Sequence, residues 1–285
     1  MLKNDVEGSL LLFSSAALFS IMAVLVKILN RSVPAAEIIF CRAAISVVII
    51  LGMVMIGKVR FRIHAWEKII FRGIVGGISL LLYFYSITLT SVSNAVLLSY
   101  TYPIFAAIFS VMYLKETLTK EKVFFIILAF TGLFMIFQLD YSALNIGDLL
   151  ALVSGITSGM AIVSIRELRR TDSSWMIVLS FVLSGTIFSL FFLKGNIIIP
   201  GMLEIFLLLI MGIFGTIGQL LMTYAYKICS ASLGGIISMS CVVMTAILSS
   251  IIFHETLTLT MIMGGLLIFI SASFLSVNEK YEVLK

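Results

Sequence analysis

Long apolar runs, separated by short polar segments, follow one another along almost the whole chain. Each run continues for about 20 residues without alternating, which predicts membrane-crossing helices rather than the short alternating strands of a barrel. The ten runs cover residues 8–29, 34–57, 68–89, 92–114, 122–139, 147–168, 174–193, 202–226, 231–253 and 259–277. The expected fold class is therefore an all-α polytopic membrane protein with ten transmembrane helices.

The composition supports this prediction and excludes several classes of protein. Hydrophobic residues make up 61% of the 285-residue chain and charged residues 12%, whereas soluble domains carry about 25% charged residues. A soluble enzyme and a disordered tail are therefore excluded. The three cysteines, Cys41, Cys229 and Cys241, are odd in number and lie in or at the edge of apolar runs, so no disulfide framework is expected.

The distribution of lysine and arginine predicts the orientation. If the N-terminus is cytoplasmic, the opposite side carries only Lys27, Arg31 and Lys194, and Arg42 lies within a helix. Fifteen of the 19 basic residues then face the cytoplasm: Lys3, Lys58, Arg60, Arg62, Lys68, Arg72, Lys115, Lys120, Lys122, Arg166, Arg169, Arg170, Lys227, Lys280 and Lys285. This positive-inside bias puts both termini in the cytoplasm and favours the cytoplasmic membrane as the location.

The same distribution bears on partners. The net charge of +5 is spread over short gaps between apolar runs. No basic face is formed that would follow a phosphate backbone, so nucleic acid is not an expected partner. The expected partners are the lipid bilayer and a small-molecule substrate, and the chain is expected to be a monomer or a homodimer.

An internal repeat appears when the sequence is shifted by 139 residues. Residues 85–119 then align without a gap with residues 224–258, and the matches include Ser99 with Ser238. The polar string Glu-Thr-Leu-Thr ends both segments, at 116–119 and 255–258. Each half, 1–140 and 141–285, contains five predicted helices. Because five is odd, the two halves have opposite orientations in the membrane, which is typical of transporters that work by alternating access.

Two five-helix halves, each with a fourth helix running into this string, resemble the EamA-like family of the drug/metabolite transporter superfamily. Arg42 in the second helix, after Pro34 and Glu37, also resembles the family's pattern. The resemblance implies a secondary transporter for small organic solutes, with a cavity lined mainly by helices one, three, four, six, eight and nine. One departure is that Pro103 in the fourth span aligns with Val242 in the ninth, which predicts that the two halves bend differently.

Polar and aromatic residues near mid-depth of the predicted helices are the expected substrate-binding residues. A tyrosine offers a stacking face and a hydroxyl, which suit a partly apolar metabolite. In an alternative interpretation the serines bond to neighbouring turns and the tyrosines only fill space. The expected set is Ser79, Tyr83, Ser99, Tyr100, Tyr102, Gln219, Ser238 and Ser240.

Arg42 is a further expected substrate-binding residue. It lies about 12 Å from the outer end of its helix, at a depth where an isolated cation is costly. It either attracts an anionic group of the substrate or bonds to helix ends and backbone carbonyls as a structural residue. The sequence leaves both roles open.

Two other features allow both a structural and a functional interpretation. Glu116 and its counterpart Glu255 are expected to cap the helix that follows each of them, although gating is an alternative for such a symmetric pair. The Gly234-Gly235 pair is a candidate hinge, although close helix packing explains such pairs more simply.

The function expected from the sequence is secondary transport of a small organic metabolite or drug-like amphiphile by alternating access. Efflux is favoured, and uptake and exchange remain open. Amino acids, nucleoside-like molecules and lipophilic cations or drugs are the substrates to test first. The alternatives are a membrane-embedded enzyme acting on a lipid or isoprenoid, and a subunit of a complex. His64 and His254, predicted on opposite sides, argue against the enzyme, and no catalytic residue, cofactor or metal is expected.

Overall fold

The computed structural model describes residues 2–90, 92–137, 145–191, 193, 198–254 and 256–278, and in this part of the chain the regular structure is helical. A π-helical turn, Ser110–Leu114, follows α5. The helices are α1 (Leu2–Leu29), α2 (Ala35–Met55), α3 (Trp66–Leu89), α4 (Val92–Ser99), α5 (Tyr102–Phe109), α6 (Lys120–Phe137), α7 (Ile146–Leu168), α8 (Ser174–Leu190), α9 (Met202–Ala225), α10 (Ala231–Phe253) and α11 (Leu259–Asn278).

Most of these helices are long and apolar enough to cross a membrane. Seven segments within the described residues meet that description, and two shorter apolar helices, Ser174–Leu190 and Leu259–Leu275, accompany them. Large apolar side chains on the outside of the bundle, such as Val48 and Leu203, are mostly exposed. Lipid, which is as apolar as these side chains, is their natural surrounding. The chain is a multi-pass membrane protein.

The fourth apolar span is broken into two helices, whereas the ninth is continuous. α4 ends at Ser99, Tyr100 and Thr101 form a turn, and α5 starts at Tyr102. Pro103 occupies the first turn of α5, where a missing backbone N–H costs no helical hydrogen bond. Its counterpart Val242 lies inside α10, which runs unbroken. The two halves bend differently, as the proline predicts.

The packing of the helices follows the same shift of 139 residues as the sequence. α3 packs against α7, and their counterparts α9 and α1 pack against each other. Likewise α3 packs against α8, and their counterparts α9 and α2 pack against each other. α4 and α5 pack against α7, and their common counterpart α10 packs against α1, the counterpart of α7. In the contacting pairs α2–α8, α5–α10 and α6–α11, each helix is the counterpart of the other. This exchange of partners is what an approximate two-fold axis between the halves produces.

Lys115 and His254 share an uncommon backbone conformation. They have φ of 57° and 55°, and among the described residues no other non-glycine has a positive φ. Both end a helical segment in the left-handed region, Lys115 after the π-helical turn and His254 after α10. Such a residue is a common way to end a helix. The two lie 139 positions apart, so the repeat extends to the local backbone.

Buried carboxylates hold the loops together on both faces of the bundle. One face carries Lys58, Arg60 and Arg62 beside Thr171 and Ser173, and we call it the cation-rich face. On this face, Asp172 accepts hydrogen bonds from the backbone N–H groups of His64 and Ala65, at 2.7 and 3.2 Å. On the opposite face, Glu37 accepts a 2.8 Å hydrogen bond from the N–H of Ile198. Because each bond links segments more than 100 residues apart, these carboxylates fix loops that local structure would leave free.

Glu116 caps a different helix from the one predicted. Its carboxylate accepts from the N–H of Ala231, at the start of α10, at 3.3 Å, and lies 3.4 Å from Nε of Arg166. The helix that follows Glu116, α6, is instead capped by Thr119, whose Oγ1 accepts from the N–H of Lys122. The sequence could not distinguish the two helices, because α10 is distant in the chain. The corresponding prediction for Glu255 lies outside the described residues.

Candidate functional site

One face of α3 carries Arg72, Gly76, Ser79 and Tyr83, at the three- and four-residue steps that place side chains in line on a helix. This line borders a cavity with a volume of about 330 Å³, which we call the first cavity. Residues from α4, α5, α7, α8 and α9 complete its wall. They are Ser99, Tyr100, Tyr102, Ser154, Ser158, Ala161, Ile162, Phe181, Gln219 and Met222, together with Leu80 from α3.

The second cavity is larger, about 600 Å³, and its wall is mainly apolar. α1 and α10 provide most of it, and α3, α4, α5, α6, α9 and α11 contribute single residues or pairs. The polar members are Ser238, Thr245, Ser249 and Thr258. The apolar and aromatic members include Phe19, Met22, Ala23, Tyr83, Tyr100, Tyr102, Met222 and Val242.

Four side chains line both cavities: Tyr83, Tyr100, Tyr102 and Met222. The rings of Tyr100 and Tyr102 are adjacent, with centroids 5.9 Å apart. They flank the break between α4 and α5, so the interrupted span supplies two of the four side chains. A residue that borders both cavities lies between them. These four side chains form a partition, which we call the tyrosine layer.

The two cavities exchange residues under the shift of 139 positions. Ser99 lines the first cavity and its counterpart Ser238 lines the second. The same exchange holds for Ser158 with Phe19, Ala161 with Met22, and Ile162 with Ala23, the first of each pair lining the first cavity. The cavities are therefore counterparts of each other, whereas their wall chemistry differs.

Serines in the first cavity also hold α3 against α7. The hydroxyl of Ser79 donates to the carbonyl of Ser154 at 3.1 Å, and that of Ser154 donates to the carbonyl of Ser79 at 2.9 Å. Ser79 also bonds to the hydroxyl of Ser158. On α4, the Ser99 hydroxyl reaches the carbonyl of Ala151 at 3.4 Å. These hydroxyls both join helices and border the cavity, so the two interpretations offered by the sequence are compatible.

The structure brings most of the predicted site residues together. Ser79, Tyr83, Ser99, Tyr100, Tyr102 and Gln219 line the first cavity, and Ser238 lines the second. Ser240 does not belong to either wall: it is fully buried and donates to the carbonyl of Ile237 in its own helix. It lies two residues from Ser238, and on a helix this step turns the side chain to another face.

Arg42 also lies outside the walls of both cavities. Its Nε is 3.0 Å from the position that a Cβ would occupy on Gly215, and the sulfur of Met22 is 3.2 Å from the same point. The arginine is therefore packed between α2 and α9 beside α1, in a space that depends on a glycine. Of its two predicted roles, this position favours the structural one.

Arg72 is a cavity residue, although the distribution of basic residues along the sequence places it with the cytoplasmic charges. Only 3% of it is exposed, and it lines the first cavity six residues after the start of α3. The available signal was its alignment with Gly76, Ser79 and Tyr83 on one helical face. Met222 was also missed, although the shift of 139 residues pairs it with Tyr83.

The Gly234-Gly235 pair packs closely against two neighbours. A Cβ on Gly235 would lie 2.9 Å from Cβ and 3.1 Å from Cα of Pro103, and one on Gly234 would overlap the ring of Tyr226. In real proteins a Cβ atom essentially never lies within 3.0 Å of a heavy atom of another, non-adjacent residue. Packing therefore requires Gly235 at the α5–α10 contact and Gly234 beside Tyr226, the residue that follows α9.

Comparison with known families supports the repeat and the expected family. The model of the EamA-like transporter family matches residues 6–138 and again residues 145–277. The chain belongs to the EamA-like transporter family. The two matches correspond to the two halves related by the shift of 139 residues, and this EamA-like chain is matched over almost its whole length.

Several curated relatives of the EamA-like chain are named as transporters. It is 28% identical over 276 residues to the pseudopaline exporter CntI of Pseudomonas aeruginosa, covering 96% of this chain and 97% of the exporter. An uncharacterized transporter of Helicobacter pylori is 28% identical over 221 residues, 73% of this chain and 74% of that one. Human solute carrier family 35 member G1 is 25% identical over 290 residues, 95% of this chain and 79% of the carrier.

A solved crystal structure shares the fold of this EamA-like chain. The two superpose with a TM-score of 0.80 over 98% of each chain, at 18% sequence identity. The family and the named relatives identify the chain as a membrane transporter of small molecules and not an enzyme. The alternative of an enzyme acting on a lipid or isoprenoid is therefore wrong.

Proposed function

We propose that this chain is a secondary transporter that moves a small organic metabolite across the cytoplasmic membrane by alternating access. In this proposal ten transmembrane helices form two inverted five-helix repeats, residues 1–140 and 141–285, with both termini in the cytoplasm. The repeats exchange conformations around the tyrosine layer. The observation that carries the proposal is that two counterpart cavities meet at one partition of shared side chains.

The wall chemistry supports the substrate class. The first cavity combines serines, Gln219 and tyrosines with apolar residues, and its volume of about 330 Å³ suits a small organic molecule. Tyrosine rings contact apolar parts of a ligand, while hydroxyl and amide groups pair with its polar parts. The proposed binding residues are Ser79, Tyr83, Ser99, Tyr100, Tyr102, Gln219 and Ser238.

We favour export as the direction of transport. The support is the name of the Pseudomonas aeruginosa relative, an exporter, whose sequence is covered over nearly its full length. A transport assay in vesicles of known orientation tests this: right-side-out vesicles loaded with substrate should lose it faster when the protein is present. Uptake by the same vesicles against a gradient, without efflux, would reverse the assignment.

The transport proposal is tested by counterflow in proteoliposomes. The purified chain is reconstituted, loaded with unlabelled amino acids, nucleosides or lipophilic cations, and assayed for entry of the labelled compound with and without a pH gradient. We expect saturable counterflow of at least one compound class, lost in Tyr102→Ala. Ser240→Ala is the matched control, because this buried serine borders neither cavity. Folded protein that moves none of these compounds would contradict the proposal.

The orientation is tested by labelling. A cysteine is introduced at Arg60, on the exposed loop between α2 and α3, in a protein whose three native cysteines are replaced by alanine. With the N-terminus in the cytoplasm, a membrane-impermeant maleimide should label this site in inverted vesicles and not in intact cells. Labelling in intact cells would reverse the topology.

A further inference from the structure

Arg72 is a buried cation with unused hydrogen-bond donors in the first cavity. It is 3% exposed, and within the described part of the chain its Nε and Nη1 have no hydrogen-bond partner. A guanidinium stays protonated in proteins and has no acceptor function, so it cannot avoid its charge by titrating. A buried charge without a partner is costly, and such groups in membrane helices commonly serve function.

The surroundings hold this guanidinium at the cavity wall. Its Cζ lies 4.8 Å from the ring centroid of Phe181, which also borders the cavity. The terminal nitrogen Nη1 occupies the place where a Cβ on Gly76 would stand. The ring supports one face of the planar group by a cation–π contact, and the glycine leaves room beside its own helix. Neither neighbour uses the N–H donors, which point along the plane of the group.

The unpaired positive charge of Arg72 indicates the kind of ligand that the first cavity would bind. None of the residues that line the first cavity is acidic, and none of the described carboxylates pairs with Arg72. The cavity therefore carries one uncompensated positive charge. A single carboxylate matches it in charge, and its two oxygens match the fork of N–H donors in geometry.

We propose that Arg72 binds a carboxylate of the transported substrate, so that the substrate class is monocarboxylates with a partly apolar body. This inference rests on the proposed transport function, because it assigns the first cavity as a substrate site. Ser79, Ser158 and Gln219 accept or donate hydrogen bonds farther along the cavity, and Tyr83 contacts the apolar body. Arg42, which packs against Gly215 and belongs to neither cavity wall, does not share this role.

Binding is tested with two matched pairs of ligands: N-acetyl-L-tyrosine with N-acetyl-L-tyrosinamide, and N-acetyl-L-leucine with its amide. Each is titrated against the detergent-purified chain while its unfolding temperature is measured. We expect a carboxylate of at least one pair to raise the unfolding temperature and its amide to leave it unchanged. Arg72→Gln should weaken carboxylate binding by about ten- to hundredfold, the range typical of a hydrogen bond to a charged group.

Two further variants separate recognition from folding. Arg72→Lys keeps the charge and loses the planar fork, and Gly76→Ala displaces the guanidinium without removing its charge. Both should weaken carboxylate binding by less than Arg72→Gln. The control is Arg60→Gln, an exposed cation of the neighbouring loop, which should bind as the unmodified protein does. Equal stabilisation by carboxylates and amides, or no stabilisation by either, overturns the assignment.

Counterflow with the same compounds distinguishes the two proposals. Carboxylate flux that is lost in Arg72→Gln supports both. Flux of neutral or cationic compounds that Arg72→Gln leaves unchanged keeps the transporter and overturns the carboxylate site. A carboxylate preference in binding without any flux keeps the site and contradicts transport.

Discussion

Tyr83 and Met222, which are 139 positions apart, both line both cavities. They lie at corresponding places on α3 and α9, the third helix of each half. Because these two counterpart residues each line both cavities, they lie beside the approximate two-fold axis that relates the halves. In the alternating-access cycle that we propose, these two side chains exchange surroundings, and we expect one or the other to keep the partition closed.

Removing the ring of Tyr83 should weaken substrate binding and open a passage between the cavities. We expect Tyr83→Ala to reduce affinity about tenfold, because an aromatic contact is worth about 1.5 kcal/mol and 1.4 kcal/mol corresponds to a factor of ten. The variant should also leak substrate down a gradient without counterflow. Counterflow and passive efflux from the same proteoliposomes measure the two effects.

Two controls accompany this prediction. Tyr83→Phe keeps the ring and should keep the partition closed. Tyr85→Ala removes an exposed ring from the same helix and should leave both measurements unchanged. If Tyr83→Ala binds and moves substrate as the unmodified protein does, the tyrosine layer is not the partition that we describe.

Gly235 should be required for stability. In Gly235→Ala the new methyl group meets Pro103 at 2.9 Å, so α5 and α10 must separate. We expect a loss of about 1–3 kcal/mol in the free energy of unfolding, typical of an overpacked contact. Denaturant unfolding in mild detergent measures it. Gly52→Ala is the control, because nothing lies within 4 Å of its Cβ. A Gly235→Ala variant that is fully stable but slow in transport would favour the hinge instead.

Asp172 should make the cation-rich face sensitive to acid. Burial disfavours its charged form, but hydrogen bonds from Thr171 and from the N–H groups of His64 and Ala65 outweigh this cost, and the pKa lies below the ordinary value of an aspartate. A lowered pKa means that the ionised form stabilises the folded state. This contribution is complete above the unfolded-state pKa of about 3.9 and is lost as the pH falls through the lower folded-state value.

We therefore expect Asp172→Asn to lower the free energy of unfolding by about 2 kcal/mol at neutral pH, because it weakens hydrogen bonds to a charged group. The difference from the unmodified protein should shrink below about pH 4. Unfolding temperatures between pH 3 and pH 8 provide the measurement. Glu167→Gln, whose carboxylate pairs with the exposed cations Lys68 and Arg170, should change stability by less than about 1 kcal/mol. A difference for Asp172→Asn that is constant with pH would refute this account.

Glu116 should stabilise the fold by capping the start of α10. Glu116→Gln weakens both the bond to the N–H of Ala231 and the ion pair with Arg166. We expect the free energy of unfolding to fall by about 1–2 kcal/mol, the usual effect of removing a helix cap. Thermal unfolding measures it, with Glu121→Gln at an exposed position as the control. Unchanged stability together with faster transport would support gating rather than capping.

Parts of the site could be predicted because they depend on residue type and helical spacing. Tyr83, Tyr100 and Tyr102 are polar aromatics in apolar spans, and the structure gathers all three at one partition. Ser240 fitted the same criteria, but a step of two residues from Ser238 turns it to another face. The charge distribution places Arg72 with the cytoplasmic cations at the start of the third span, whereas the structure places its side chain in the wall of a cavity.

The sequence by itself determined the apolar spans, the membrane setting, the repeat and the different bending of the two halves caused by Pro103. Each follows from local chemistry: about 20 apolar residues must form a helix in lipid, and a proline lacks the N–H that a helix needs. The tertiary structure alone decided which helix Glu116 caps, where Arg42 and Arg72 point, and which residues meet at the tyrosine layer. These depend on contacts between residues distant in the chain, because the rotation and packing of whole helices set which side chains meet.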